Sequence, residues 1–224
     1  MADSTVLVMG QPSDGSLEAV VVRVTHVGPR VKDVPGLPRV LLIGDSISMG
    51  YDQAVRDALK GVANVHRIDW NGGDTNRGLA RLAEALGPYT RERYKWDVIH
   101  FNFGLHDLRV VGDTHQVPLD KYEQNLQAIV AELKKTKAKL IWASTTPVPE
   151  AGPKAGRRAE DVPKYNEAAA KVMTENGVAI DDLYGFALPK VKELQRPQNV
   201  HFSPKGSQTL GEQVAASIKA ALGK

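Results

Sequence analysis

Short apolar runs recur along the chain from residue 39 onward, and segments with a helical spacing of apolar side chains separate them. The first run, Val40-Leu41-Leu42-Ile43, is apolar at every position, which is typical of a strand buried on both faces inside a parallel sheet. Four further runs are also strand-like, although those at 65–68 and 98–103 include polar residues. The five predicted strands cover residues 40–43, 65–68, 98–103, 140–143 and 178–180.

Helical periodicity is clearest in three segments. Residues 48–60 and 119–133 carry apolar side chains at intervals of three and four positions, which predicts helices with one buried face. The last segment is bounded by Ser203, a favoured N-cap residue, by Pro204 in the first turn and by Gly223 at the exit. It therefore predicts a helix that reaches almost to the end of the chain.

Alternation of strands and helices predicts a parallel sheet with helices on both faces. We expect an α/β fold over residues 39–224: a flavodoxin-like three-layer α/β/α sandwich around a central five-stranded parallel sheet. Residues 1–38 differ, because the valine-rich segment 17–27 predicts one or two extended strands, and we expect them to form an N-terminal appendage. Residues 145–161 are rich in Pro and Gly and predict a long mobile loop near the strand ends.

Composition narrows the class of protein. The 224 residues are 42% apolar and 25% charged with a net charge of +3, as in an ordinary globular domain with a substantial core. The basic residues are scattered and no groove-reading motif accompanies them, so we do not expect nucleic-acid binding. The absence of cysteine excludes disulfides, thiolate metal sites and cysteine nucleophiles.

The sequence also bears on membranes and location. No apolar stretch approaches the roughly 20 residues that span a bilayer, so we expect no membrane association. The first residues lack the basic start and long apolar core of a signal peptide. Both a cytoplasmic location and export with the signal already removed remain open, as does the oligomeric state.

Polar residues follow the predicted strands at the points where parallel strands place their ligand sites. The first strand is followed by Gly44-Asp45-Ser46, the second by 71–75 and the third by 104–107, while Asn199-Val200-His201 precedes the last helix. Together these segments supply a hydroxyl, backbone amides and two imidazoles. These are the groups that acyl transfer needs as nucleophile, base and oxyanion donors.

With these segments in place, residues 39–223 resemble the SGNH (GDSL-type) hydrolase family. Its four motifs stand here in order as Gly44-Asp45-Ser46-Ile47-Ser48, Gly72-Gly73-Asp74-Thr75, Gly104-Leu105-His106-Asp107 and Gln198-Asn199-Val200-His201. The resemblance implies that Ser46 is the nucleophile and His201 the general base. It also implies that the oxyanion hole consists of the Ser46 and Gly73 amides and His106.

Two residues depart from the family pattern. His106 stands where the family has an oxyanion asparagine, and an imidazole N–H still permits donation. Gln198 stands where the family has the triad aspartate, so a Ser–His dyad is expected. Its base is then oriented by Gln198 or by a backbone carbonyl. Asp181 and Asp182 are the alternative carboxylates for that task.

Each assignment has a structural alternative. Ser46 could simply cap a helix, Gly73 could only permit a tight turn, and the two histidines could be structural. Asp45 and Asp107 are expected to accept hydrogen bonds from backbone amides in their turns rather than to transfer protons.

The resemblance implies a serine esterase for short acyl esters, chiefly acetyl esters and including those on carbohydrates, without metal or organic cofactor. Trp70, Arg157 and Arg158 are the candidate substrate-binding side chains. Gln198 motivates a second hypothesis: a catalytically weak or inactive carbohydrate-binding or scaffold protein of the same fold. A phosphate-binding receiver domain is disfavoured, because no P-loop or acidic metal cluster follows the first strand.

Overall fold

The structure, a computed structural model, describes residues 6–13, 16–24, 32–149 and 156–224. Its contacts divide the chain into two units, Met1–Lys32 and Asp33–Lys224. In the first unit, strand β1 (Val6–Ser13) pairs antiparallel with β2 (Ser16–Val24). The valine-rich segment therefore forms a strand, whereas residues 25–27 of the prediction lie outside the described residues.

The second unit contains the five-stranded sheet that the sequence predicts. All its strands are parallel and their order is β4-β3-β5-β8-β9, which is the flavodoxin order, with the first strand of the sheet between the second and the third. The strands are β3 (Arg39–Ile43), β4 (Asn64–Arg67), β5 (Val98–Phe101), β8 (Lys139–Ala143) and β9 (Ala179–Asp181).

The third predicted strand is two residues too long. After Phe101, the backbone N–H of Asn102 still donates to Ile43 O at 3.0 Å. On the other side, however, the side chain of Asn102 donates to Ala143 O at 2.7 Å. A side-chain amide thus takes the place of a backbone donor towards β8, and the regular ladder ends at Phe101.

Helices cover both faces of the sheet. On one face α1 packs against α8, and on the other the remaining long helices α4 and α5 pack together. The helices are α1 (Ser46–Ala58), α2 (Thr75–Ala80), α3 (Leu82–Leu86), α4 (Leu119–Lys134), α5 (Asp161–Glu175), α6 (Leu183–Ala187), α7 (Val191–Leu194) and α8 (Pro204–Leu222). A short hairpin joins β6 (Val110–Val111) to β7 (Thr114–His115).

The predicted ends of the last helix agree with the structure, whereas the helix predicted at 48–60 begins and ends two residues earlier. The Ser203 hydroxyl accepts the Gly206 N–H at 3.1 Å, Pro204 occupies the first turn, and Gly223 closes α8 in the left-handed conformation with φ of 73°. Residues 150–155 of the predicted loop lie outside the described residues.

The core explains the apolar runs. Val40 and Leu42 in the central strand β3 have no exposed surface, and neither has Phe101 in β5. Both faces of these central strands are covered, so alternation between apolar and polar positions is absent from them. A polar pair lies within this core: Nε2 of His100 lies 3.1 Å from Oδ2 of Asp181, with both side chains buried.

Candidate active site

The first turn sets Ser46 at the start of a helix. Strand β3 ends at Ile43, and the Asp45 side chain then caps α1 by accepting the N–H of Ile47 at 2.8 Å. This bond confirms the expected turn-stabilising role of Asp45. As the first residue of α1, Ser46 has an N–H without an acceptor inside the helix, so this group is available to a ligand. The cap is Asp45, and the Ser46 hydroxyl is not needed for it.

The fold brings His201 to this serine across 155 residues of sequence. Nε2 of His201 lies 2.8 Å from Oγ of Ser46. On the other side of the ring, Nδ1 lies 2.8 Å from Oδ1 of Asn199, which also accepts the backbone N–H of His201 at 2.9 Å. The backbone donor identifies this Asn199 atom as the oxygen, so Nδ1 carries a proton. In the neutral ring Nε2 is then unprotonated and accepts the Ser46 hydroxyl.

Asn199, not Gln198, therefore lies against the imidazole. Gln198 has a left-handed backbone with φ of 52°, which turns the chain so that the next side chain faces His201. The family pattern places the orienting aspartate three residues before the histidine, at the position of Gln198. Asparagine two residues before a histidine gives no distinctive signal, so the residue was missed.

The two alternative carboxylates are engaged elsewhere. Asp181 contacts Nε2 of His100 and accepts a hydrogen bond from Nε2 of Gln213 at 2.9 Å. Asp182 caps α6 and accepts the Ser144 hydroxyl at 2.8 Å. Among the described residues, neither carboxylate bonds His201, so the orienting group in the structure is an uncharged amide.

The second turn lies directly against the first. The N–H of Gly72 donates to Gly44 O at 3.0 Å, and a Cβ at Gly72 would lie 2.9 Å from that same oxygen. Gly73 adopts a left-handed backbone with φ of 66°. Its N–H donates to Oδ1 of Asn71 at 3.0 Å, so it can bind an oxyanion only when Asn71 releases it.

Arg67 joins these two turns, a role that nothing in the sequence indicates. Its guanidinium is partly buried, and burial lowers the pKa of the group. It bonds Ser48 Oγ (3.1 Å) and four backbone carbonyls, those of Gly44 (3.1 Å), Asp45 (3.2 Å), Ile68 (2.5 Å) and Trp70 (3.5 Å). Because bonds to backbone carbonyls require no particular partner side chain, they leave no pattern in a sequence.

The third turn places His106 near the first. Its Nε2 lies 4.0 Å from Oδ2 of Asp45, and the side chain is 28% exposed. Burial lowers the pKa of His106, although the Asp45 carboxylate opposes the shift. The ring is therefore neutral at pH 7 and has one N–H to donate.

Asp107 ties the third turn to the second. It accepts the backbone N–H of Thr75 at 2.9 Å and the Thr75 hydroxyl at 2.5 Å, as expected for a turn acceptor. Its other oxygen is buried and has no hydrogen-bond partner among the described residues. Desolvation by burial raises the pKa of this carboxyl to about 7, against the hydrogen bonds from Thr75.

A cleft of about 270 Å³ opens beside the serine and the histidine. Its lining residues are Ser46, Ile47, Gly50, Arg196, His201, Phe202 and Ser207. The three predicted substrate-binding side chains are not among them.

Those three side chains lie as follows. The ring of Trp70 is partly buried, with the Arg81 guanidinium 4.0 Å from its centroid. Arg157 donates from Nε to Leu105 O at 2.5 Å, next to the third turn, and Arg158 is exposed. A substrate role for each of them remains a prediction.

The remaining described histidines pair with carboxylates: His66 with Asp33 at 2.6 Å and His115 with Asp161 at 2.8 Å, besides His100. Within the described ranges, no group of three or more His, Cys, Asp or Glu residues is arranged to hold a metal ion. No helix in the described part of the chain has the length and apolar character needed to cross a bilayer.

The sequence of this chain is similar to the sequences of known proteins. The sequence profile of the GDSL-like lipase/acylhydrolase family matches residues 42–209. A GDSL esterase/lipase of Arabidopsis thaliana is 25% identical over an alignment of 211 residues, and the match covers 82% of this chain and 86% of that protein.

Solved structures share the fold. A lipase/acylhydrolase from Enterococcus faecalis superposes with a TM-score of 0.69 at 22% identity, covering 82% of this chain and 96% of the other. An acetylxylan esterase from Geobacillus stearothermophilus gives a TM-score of 0.64 at 19% identity, covering 84% and 94%. The family profile spans most of the chain and includes the turn of Ser46 and the segment of His201. The protein is thus a GDSL-like lipase/acylhydrolase, a member of the SGNH hydrolase family of esterases.

Proposed function

We propose that the protein is a serine esterase that hydrolyses short acyl esters, chiefly acetyl esters and including those on carbohydrates. The observation that carries the proposal is the contact between Nε2 of His201 and Oγ of Ser46 at 2.8 Å, with the opposite ring nitrogen donating to Asn199. A serine hydroxyl becomes a useful nucleophile when a neutral imidazole in this tautomer takes its proton.

In the first half-reaction, Oγ of Ser46 attacks the ester carbonyl and its proton passes to Nε2 of His201. The negative charge of the tetrahedral intermediate is stabilised by the N–H groups of Ser46 and Gly73 and by His106. An oxyanion competes well with the neutral Asn71 oxygen for the Gly73 N–H, because charge-assisted hydrogen bonds are roughly twice as strong.

The intermediate collapses when His201 returns its proton to the oxygen of the leaving alcohol. The acyl group then remains on Ser46. Water attacks this acyl-enzyme with His201 again as the base, and the carboxylic acid leaves with Ser46 restored. The residues involved perform the reaction without a cofactor.

Two features support short acyl groups. The cleft beside Ser46 is about 270 Å³, which is small for a long acyl chain together with its alcohol. The structural neighbours include an acetylxylan esterase from Geobacillus stearothermophilus and a second acetyl xylan esterase, with a TM-score of 0.66 at 19% identity.

The test measures hydrolysis of p-nitrophenyl esters with acyl chains of 2 to about 12 carbons, followed by acetylated sugars. We expect the highest kcat/KM for the acetyl ester and loss of turnover in Ser46→Ala. Ser217→Ala in α8 removes a hydroxyl away from the cleft and is the matched control. A wild-type rate that equals the rate of Ser46→Ala would overturn the esterase proposal in favour of a non-catalytic carbohydrate-binding protein.

A further inference from the structure

One wall of the cleft carries a permanent positive charge. Of the residues that line the cleft, Arg196 is the only one with a side chain that is always charged. The rest of the lining consists of apolar residues, two serines, a glycine and the histidine. An ester bound beside Ser46 therefore meets one guanidinium.

Arg196 is held in place by the same segment that carries the base. Its backbone N–H donates to His201 O at 2.9 Å, and its Nε donates to Phe202 O at 3.1 Å. An isolated bridge between Gln195 and Phe202 adds to this connection. Because Nε is already fixed, the two terminal nitrogens are the groups left to bind a ligand.

The charge of Arg196 is not neutralised within the described part of the chain. None of the ion pairs there includes it. The acidic residue nearest in sequence, Glu193, pairs instead with Lys205 at 3.6 Å. A guanidinium that is held at Nε, and whose terminal N–H groups bond none of the described residues, is well suited to carboxylate, sulfate or phosphate oxygens.

The chemistry of the reaction indicates which part of the substrate meets Arg196. His201 must protonate the leaving oxygen, so the alcohol part of the ester lies on the side of Nε2. Arg196 bonds the backbone of His201 and of Phe202, which places it on that side. The proposed oxyanion donors Gly73 and His106 belong to other turns, towards which the carbonyl oxygen points.

We infer that the natural substrate is a short acyl ester of an alcohol that carries an anionic group, and that Arg196 binds this group. The inference rests on the proposed function and specifies its substrate class. The reaction is unchanged: water cleaves the ester, the acyl group leaves as the carboxylic acid, and the anionic alcohol is released with its charge intact.

The test compares 4-acetoxybenzoate with 4-acetoxybenzamide, which have the same shape but differ in charge. We expect wild-type kcat/KM to be about tenfold or more higher for the anion, mainly through KM, because hydrogen bonds to charged groups are the stronger ones. Arg196→Gln should abolish this preference, so that the ratio of the two kcat/KM values falls to near one. Raising the salt concentration should reduce the preference in the wild type only.

Arg91→Gln, which removes an exposed arginine outside the cleft lining, is the matched control for net charge and should keep the wild-type ratio. Arg196→Lys keeps the positive charge but lacks the planar guanidinium with its two parallel N–H donors, and it should retain part of the preference for the anion. A wild-type ratio near one, or a ratio that Arg196→Gln leaves unchanged, would overturn the inference.

Binding of uncleavable analogues separates this inference from the proposed function. Calorimetry with 4-acetamidobenzoate and 4-acetamidobenzamide needs no turnover. Binding of the anion that depends on Arg196, in a protein that hydrolyses no ester, would support the anion site and reject the esterase. Ester hydrolysis with equal affinity for both analogues would support the esterase and reject the anion site.

Discussion

Oδ1 of Asn199 lies 2.8 Å from Nδ1 of His201 and accepts the backbone N–H of the same residue at 2.9 Å. The amide therefore fixes both the tautomer and the orientation of the ring. A triad carboxylate would in addition stabilise the imidazolium that forms during attack. The uncharged Asn199 supplies the geometry without that charge.

The first prediction concerns this contact. Asn199→Ala should lower kcat about tenfold, because one net hydrogen bond of about 1.4 kcal/mol is lost and the ring is no longer held in one orientation. Gln198→Ala, one residue earlier, is the control and should change kcat by less than twofold. Steady-state kinetics on p-nitrophenyl acetate checks both, and equal effects would contradict the orienting role of Asn199.

Asn199→Asp extends this prediction to pH. A carboxylate beside Nδ1 favours the protonated ring, which is inactive as a base. The acidic limb of the kcat/KM profile should therefore move to higher pH than in the wild type. A limb that stays in place would show that another group controls it.

The second prediction concerns His106. Since burial lowers its pKa, the ring is neutral at pH 7 and has one N–H to donate to an oxyanion. His106→Ala should reduce kcat by about 10²–10³, the usual effect of losing one oxyanion donor, and KM should change little. His106→Asn restores an amide donor and should retain more activity. Equal losses in two variants that unfold at the wild-type temperature would argue against a donor role.

The third prediction concerns Arg67, which bonds Gly44 and Asp45 on one turn and Trp70 next to the other. In Arg67→Gln the two turns are no longer joined, so the distance between Ser46 Oγ and the Gly73 N–H should increase. A displacement of about 1 Å can cost 10²-fold in rate, so we expect a large loss of kcat at nearly constant KM. Arg67→Lys should recover part of it.

Arg56→Gln provides the matched control for Arg67. Arg56 also donates to a backbone carbonyl, Val65 O at 2.5 Å, and pairs with Asp52, but it bonds neither turn among the described residues. Both glutamine variants should lose stability in urea, and only Arg67→Gln should lose kcat. An equal loss of kcat in both variants would show that Arg67 has only a structural role.

The fourth prediction concerns the stability contributed by Asp107. Its pKa is about 7 in the folded protein against an ordinary value of 3.8, so the folded state holds the proton more tightly than the unfolded state. This contribution to stability is complete below the ordinary pKa and is lost as the pH rises through about 7. Asp107→Asn keeps the acceptor for Thr75 and cannot ionise.

Urea unfolding of the wild type and Asp107→Asn between pH 5 and 8.5 tests this sign. The free energy of unfolding of the variant minus that of the wild type should increase as the pH rises. Other titrating groups act on both proteins and cancel in the difference. A difference that is constant, or that falls with pH, would show that Asp107 is ionised in the folded protein.

The sequence by itself determined the sheet and the position of the reactive turns. Short apolar runs that alternate with helical segments are typical of strands buried on both faces, and crossovers between parallel strands leave few topologies. Ser203 and Gly223 fixed the ends of α8 through local rules of capping, which do not depend on the rest of the fold. The motifs then located Ser46 and His201, whose contact at 2.8 Å the structure shows.

Tertiary structure decided what surrounds those two residues. The choice of Asn199 over Gln198 follows from a single left-handed residue, which no periodicity reveals. Arg67 joins two turns by hydrogen bonds to backbone carbonyls. Because every residue has a backbone carbonyl, the sequence does not show which of them the side chain binds. Arg196 reaches the cleft because its segment folds back on His201 and Phe202. Such contacts depend on where the chain returns in space, whereas the sequence records only local order and the burial of apolar side chains.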